Sequence, residues 1–295
     1  MNPLLLVPLA ASIVCGLLAT AIQRRLPPRH AVQVLTAVLI VCALTVLWAL
    51  LLLVLGWVAQ LEVVADSLGW CDALLADAHG SAALGVAATA GLAGALVGAV
   101  RTIVRQRAAT LGLAPARGVQ VLPCPEPIAY AVPGKPGHVV VSRGTLDLLD
   151  GDECAAMLAH EQSHLDRHHQ RFVRIGEIAA GAVPPLRPMS RRLRFATERW
   201  ADEEAASVVG DRTAVARAII KVALARTEQA PAGALGMSGS GVPDRVDALL
   251  LGPPATGLRT EISLAASALA LLAAAAASTI QFHHVVALAQ HVCPL

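Results

Sequence analysis

This sequence predicts a mainly α-helical, polytopic membrane protein with about four transmembrane helices and a soluble α+β domain inserted between the third and the fourth. Three observations predict it. Hydrophobic residues make up 56% of the chain and charged residues only 15%, far from the balance of a soluble enzyme. The apolar excess gathers at the two ends, in runs of the length a bilayer requires. Between those ends, residues 105–260 form the one stretch that reads as a soluble domain.

Residues 1–104 hold three candidate spans, at about 4–22, 31–58 and 82–104. The first has no basic segment before it and its apolar run is long, so it reads as a span rather than a signal peptide. The second is long enough to cross with tilt. The third is rich in Gly and Ala, which suits close helix packing. The fourth, at about 262–282, lies in the terminal segment 261–295.

Arg placement sets the expected orientation. Arg24, Arg25 and Arg29 follow the first span, and Arg101, Arg105, Arg107 and Arg117 lie at or after the end of the third. Between Arg29 and Arg101 there is no Lys or Arg, but Glu62, Asp66, Asp72 and Asp77 are present. The inserted domain is therefore expected on the cytoplasmic side of the cell membrane. Both termini and the 62–80 loop are expected outside. By the same logic Cys124 and Cys154 are reduced thiols, while Cys71 and Cys293 share a compartment that permits a disulfide.

Within the insert, Gly118–Pro123 and Gly137–Ser142 read as short strands, the second preceded by a Pro133-Gly-Lys-Pro-Gly137 turn. Thr145–Leu149 reads as a helical turn. Asp150-Gly-Asp-Glu153 has the form of a capping box opening a helix that should run to about His169. Ser190 is placed to cap another helix ending near Gly210, and a third should cover Arg212–Glu228. Pro231–Val242 reads as a flexible Gly/Ser/Ala-rich loop. With so few strands, the core of the insert must be mainly helical.

The chemistry is carried by His160-Glu161-Gln162-Ser163-His164. Two His four apart on a helix point the same way, so both imidazoles can reach one metal ion, and the intervening Glu161 can act on water there. The motif alone is only moderately specific, and its context strengthens it. It sits on a capped helix inside the soluble insert, and Glu198-Arg-Trp-Ala-Asp202 follows on another predicted helix. A catalytic zinc takes three protein ligands, and His-His-Glu is one standard set. Glu198 can be the third ligand, with Asp202 one turn on orienting a ligand His. The competing reading is a solvated acidic helix face.

Other arrangements fit less well. Arg167 and Gln170 stand where one metallopeptidase class needs Gly and a third His. His168 would lie about 12 Å along the axis from His160, so His168 and His169 read as a polar helix end. Flanking Asp147, Asp150, Asp152, Asp166 and Arg167 exclude a motif buried within a span. Glu161 is the expected base. Arg194, Arg199 and His168 are candidate oxyanion donors. Ile128–Gly134 is a candidate edge strand to which a peptide could add. A net charge of +2 and 3% aromatics give no sign of direct nucleic-acid binding.

These residues resemble a known group. Ala129-Tyr-Ala-Val-Pro-Gly134, Val139-Val-Val-Ser-Arg-Gly144, Leu158-Ala-His-Glu-Gln-Ser-His164 and Glu198-Arg-Trp-Ala-Asp202 occur in the order found in gluzincin membrane peptidases. Those are the BlaR/MecR-type antirepressor family and its relatives, the HtpX and CAAX prenyl protease families. Pro243-Asp-Arg-Val-Asp-Ala-Leu249 is similar to a tail segment of the latter group. The resemblance implies a zincin-like metallopeptidase domain in which His160, His164 and Glu198 bind Zn2+ and Glu161 is the catalytic base. The BlaR/MecR-type layout of three spans, a cytosolic zinc domain and one further span matches the one expected here. It implies a winged-helix transcriptional repressor as the cytoplasmic protein substrate. No penicillin-binding sensor domain or S-x-x-K motif follows the last span. Two alternatives stand beside this expectation: an HtpX-like quality-control or processing peptidase, and a non-catalytic receptor stabilised by zinc.

Overall fold

The computed structural model describes residues 26–58, 82–110, 117–229 and 241–252, with five further helical positions, Ala266, Leu269, Ala273, Ala276 and Ile280. The expected first span, Arg24, Arg25, the 62–80 loop, Cys71 and Cys293 lie outside the described residues, as does most of the expected fourth span. The fold is mainly helical with one small sheet.

Among the described residues, two helices are long and apolar enough to cross a bilayer. They are α1 (Pro28–Val58) and α2 (Ala82–Thr110), at the positions of the expected second and third spans. A helix of 31 residues such as α1 is about 46 Å long, well beyond a hydrocarbon core of about 30 Å. Its N-terminal half is protein core. Val32, Leu35 and Leu39 are fully buried and cluster with Met189, Leu193, Ala196 and Trp200. Further along, Leu44 is 60% and Leu55 53% exposed, which leaves that half for lipid.

The end of α2 crosses α5 (His169–Ala182) at two glycines. A Cβ on Gly98 would fall 2.0 Å from the Gly181 carbonyl oxygen, so only glycine permits this approach. Below the crossing, Gln106 Nε2 donates to Glu177 Oε2 at 2.8 Å.

Three strands follow α2: β1 (Gly118–Leu122), β2 (Ala129–Val132) and β3 (His138–Ser142). They form a sheet in the order β1-β3-β2. β1 runs parallel to β3 with Val119 opposite Val139, and β2 antiparallel with Ala131 opposite Val139. β3 is buried throughout and supplies the sheet's share of the core. The expected edge segment Ile128–Gly134 is thus β2, an edge strand lying against the motif helix. Its start is pinned from below. Ser142 Oγ accepts from the Ile128 amide at 2.9 Å and from the Thr145 amide at 3.1 Å, where it caps α3 (Arg143–Leu148).

The motif helix is α4 (Gly151–Asp166), opened by the expected capping box. Glu153 accepts from the Asp150 amide, and Asp150 accepts from the Glu153 amide at 2.9 Å. It stops at Asp166 rather than running to His169. His168 adopts a left-handed φ of 53° and α5 begins at once. Helix α6 (Arg187–Val209) starts ahead of the expected Ser190 cap, because Pro188 is accommodated in its first turn. It ends at Gly210 with φ 77°. Helices α7 (Arg212–Gln229) and α8 (Val242–Leu251) complete the bundle. Ala156, Ala205, Val215, Ile219 and Leu249 form a second core joining α4, α6, α7 and α8. Val242 opens α8 instead of closing the expected loop, whose residues up to Ser240 lie outside the described ones.

Glu153 also bears on stability. Its side chain is fully buried and accepts from Lys221 Nζ at 2.5 Å and Arg217 Nε at 3.2 Å. Burial pushes its carboxyl up, but Lys221, the Asp150 amide and Arg217 together hold it below the ordinary value of 4.5. A carboxyl lowered by folding stabilises fully above its unfolded pKa and loses that contribution as pH falls through the folded one. Glu153→Gln keeps the size and the cap acceptor. It is expected to cost about 2 kcal/mol at pH 7, below the full loss for a buried pair because the two cations are partly exposed. Unfolding midpoints at pH 7 and at acid pH, below 4.5, check this. The gap from wild type should narrow in acid, and an equal gap at both values refutes the assignment.

Candidate active site

Helices α4 and α6 face each other and bring the expected residues together. His160 Nε2 and His164 Nε2 lie 3.2 Å apart, as one helical turn on α4 dictates. Glu198 on α6 places Oε2 3.5 Å from His160 Nε2 and Oε1 3.8 Å from His164 Nε2. Each residue offers a ligand atom, all within 4.8 Å of one another. Tetrahedral coordination with bonds near 2.1 Å separates ligand atoms by roughly 3.4 Å. The spacings, taken to one or other Glu198 oxygen, lie around that value, so the donor set and its compactness are compatible with zinc.

The electrostatics favour a cation. Burial alone pulls the His160 imidazole down, yet Asp202 and Glu198 push it up to about 10. His164 is half-buried, and desolvation and the neighbouring His160 lower it to about 4. Burial opposes the Glu198 charge, but His160 and Arg245 hold its carboxyl far below the usual range. Two carboxylates, Asp202 and Glu198, thus face the His160 ring and place negative charge at the ligand cluster.

Asp202 stands where the sequence suggested, with Oδ1 3.0 Å from His160 Nδ1. The ring N–H does not point along this line, and His160 Nδ1 makes no aligned hydrogen bond. The contact is therefore one of proximity and charge. Asp202 itself is gripped by Arg245 on α8, whose Nε and Nη2 donate at 2.8 and 2.6 Å. Arg245 Nη1 also lies 3.2 Å from Glu198.

Glu161 points into a cavity of about 280 Å³ that it lines with His164, Glu198, Arg194, His169 and, from β2, Ala131. Burial and the neighbouring Glu198 raise its carboxyl, partly offset by His160 and the Ala131 amide. That is the direction expected of a general base.

Of the three expected oxyanion donors, only Arg194 lines this cavity, and it is ion-paired with Glu177. Arg199 is absent from the lining and carries a buried Nε with no hydrogen-bond partner among the described residues. His168 is exposed at the α4–α5 corner, where its backbone makes the turn.

Two residues of the site escaped the sequence reading. His169 is not a polar helix end. It is 1% exposed, with Nδ1 3.0 Å from His164 Nδ1. Only the turn at His168 brings it there, and no spacing rule signals it. Arg245 was visible only as part of the resembling Pro243–Leu249 segment, with no hint of its partners.

Residues 95–180 match Peptidase family M48, a segment from the later part of α2 to near the end of α5 that contains His160, Glu161 and His164 but not Glu198. The chain is 35% identical over 136 residues to a protease HtpX homologue of Desulforapulum autotrophicum, covering 42% of this chain and 43% of that protein. It is 28% identical over 156 residues to the homologue of Pyrococcus abyssi, covering 50% and 54%. It is 34% identical over 79 residues to that of Aquifex aeolicus, covering 26% of each. The chain thus spans about half the length or less of the curated relatives it matches. No solved structure matches it.

Proposed function

We propose that the chain is a membrane-embedded zinc metalloendopeptidase of the HtpX-like kind. The observation that carries this is the convergence of His160, His164 and Glu198 within 4.8 Å, beside a half-buried Glu161 in a cavity bordered by an edge strand. The matched relatives support HtpX-like processing or quality control ahead of the antirepressor reading, which rests on the BlaR/MecR-type resemblance alone. A receptor with purely structural zinc would need no general base, and Glu161 in the cavity argues against it.

His160, His164 and Glu198 would hold zinc, which when bound would supply Lewis acidity towards the scissile carbonyl and a lowered water pKa. Glu161 takes the proton of the attacking water and passes it to the leaving amine. β2, an edge strand among the described residues, offers backbone groups to an extended substrate, which would set the peptide across the cavity beside Ala131. Arg194 is the available cationic donor for the developing oxyanion once Glu177 releases it. Arg29 lies at the end of α1 that packs on α6, and Arg101 and Arg105 lie in the end of α2 that packs on α5. That placement supports a cytoplasmic catalytic domain by the positive-inside rule, with protein segments on that side as substrate.

Glu198→Ala is the direct test of the metal centre. Purified in detergent, the variant is expected to lose most of its zinc, measured as metal per chain. Full occupancy would remove Glu198 from the ligand set.

A further inference from the structure

We propose that His169 is a positioning residue of the metal centre: it accepts the Nδ1–H of His164 and so aims the Nε2 lone pair of that ring at the cation. The proposal rests on the reading of His160, His164 and Glu198 as metal ligands, and it concerns how one of them is oriented.

The backbone is shaped to make this contact. On a continuous helix a residue five positions after His164 would sit about 140° around the cylinder and could not meet it. Instead α4 stops at Asp166, His168 takes a φ of 53°, and α5 starts with His169 folded back against α4. The two rings meet edge to face, with centroids 4.9 Å apart and Nδ1 atoms 3.0 Å apart. A non-glycine residue in the left-handed region is uncommon and must be held by its surroundings.

Those surroundings are present. His169 packs on Trp200 of α6 with centroids 4.6 Å apart. Trp200 Nε1 donates to Glu204 at 2.9 Å. Glu204 also accepts from Ser163 Oγ at 3.2 Å and from Arg167 Nε at 2.7 Å. The corner between α4 and α5 is thereby tied to the helix that carries Glu198.

The direction of the bond follows from proton counting. A hydrogen bond between two Nδ1 atoms uses one proton. If His164 offers Nε2 to a metal, its proton resides on Nδ1, so His164 donates and His169 accepts. The proton of neutral His169 is then on Nε2, the buried atom that has no partner among the described residues. The two ligand rings are thus held differently: His160 lies against the carboxylate of Asp202, and His164 against a neutral imidazole. A neutral acceptor fixes the ring without adding another anion beside Glu161, Glu198 and Asp202.

The test is zinc affinity of the full chain in detergent, by competition with a chromophoric chelator, alongside the unfolding midpoint of each metal-free variant. His169→Phe keeps a ring against Trp200 but removes the acceptor, and is expected to weaken zinc 10- to 100-fold. His169→Asn places a carbonyl oxygen near the Nδ1 position and should restore most of that affinity. Wild-type affinity in His169→Phe, or equal losses in Phe and Asn, would overturn the proposal. Should His169→Phe fail to fold, His169→Asp decides, since it accepts the same N–H and must bind zinc at least as tightly as wild type. Unchanged zinc in His164→Ala would instead overturn the metal-centre reading itself.

Discussion

Glu161→Gln is expected to reduce peptide-bond hydrolysis by about a thousandfold while zinc content stays unchanged. The two halves of this expectation come from different observations. Glu161 lies outside the group of ligand atoms formed by His160, His164 and Glu198, so its loss leaves the coordinating atoms in place. Its carboxylate faces the same cavity as His164 and Glu198, so its loss removes the base. Gln has nearly the same volume and can still accept from the Ala131 amide, which limits structural effects. Cleavage of an unfolded protein substrate by the detergent-purified chain, with metal analysis of the same samples, measures both. Undiminished cleavage would end the catalytic assignment. In cells the same variant should hold substrates it cannot cut. Membrane proteins among those captured would favour the HtpX-like reading, and a soluble repressor the antirepressor one.

What could be read from the sequence was what local physics determines. The capping box of α4 needs only Asp150 and Glu153, three residues apart, and both bonds form as expected. The turn that puts His160 under His164 is equally local. Hydropathy marked α1 and α2 but could not say which apolar side chains face lipid and which face protein. Val32 and Leu35 read like Leu44 and Leu55, yet the first two are buried against α6 and the last two are exposed. Helix α5 went unseen because its register depends on the turn at His168. No Gly or Asn marks that turn, although Arg171, Arg174 and Glu177, three apart on one face, leave an amphipathic pattern that was legible in the sequence. His169 was misread for the same reason. Arg245 reaches Asp202 from an element 43 residues away in the chain, a distance over which no spacing rule operates.

Removing Arg245 should destabilise the metal-free protein by about 3 kcal/mol, the low end for breaking a buried charge pair. Arg245 is the cation that makes two acidic neighbours tolerable. Its fork closes on Asp202, a side chain only 2% exposed, and a further nitrogen reaches Glu198. In Arg245→Ala, Asp202 keeps His160 and the Arg199 charge nearby, and a protonated His160 recovers part of the loss, which is why the low end is expected. Arg245→Lys should recover only a fraction, since one ammonium cannot bond both Asp202 oxygens and reach Glu198 as the planar guanidinium does. Zinc changes the balance in a definite direction. A divalent cation beside Glu198 and His160 supplies positive charge that the missing guanidinium took away. The gap between Arg245→Ala and wild type should therefore be smaller with zinc bound than without it. Unfolding midpoints of both proteins, with and without the metal, measure all of this. A variant as stable as wild type without zinc, or a gap that widens when zinc is added, would show that Arg245 does not neutralise this acidic pair.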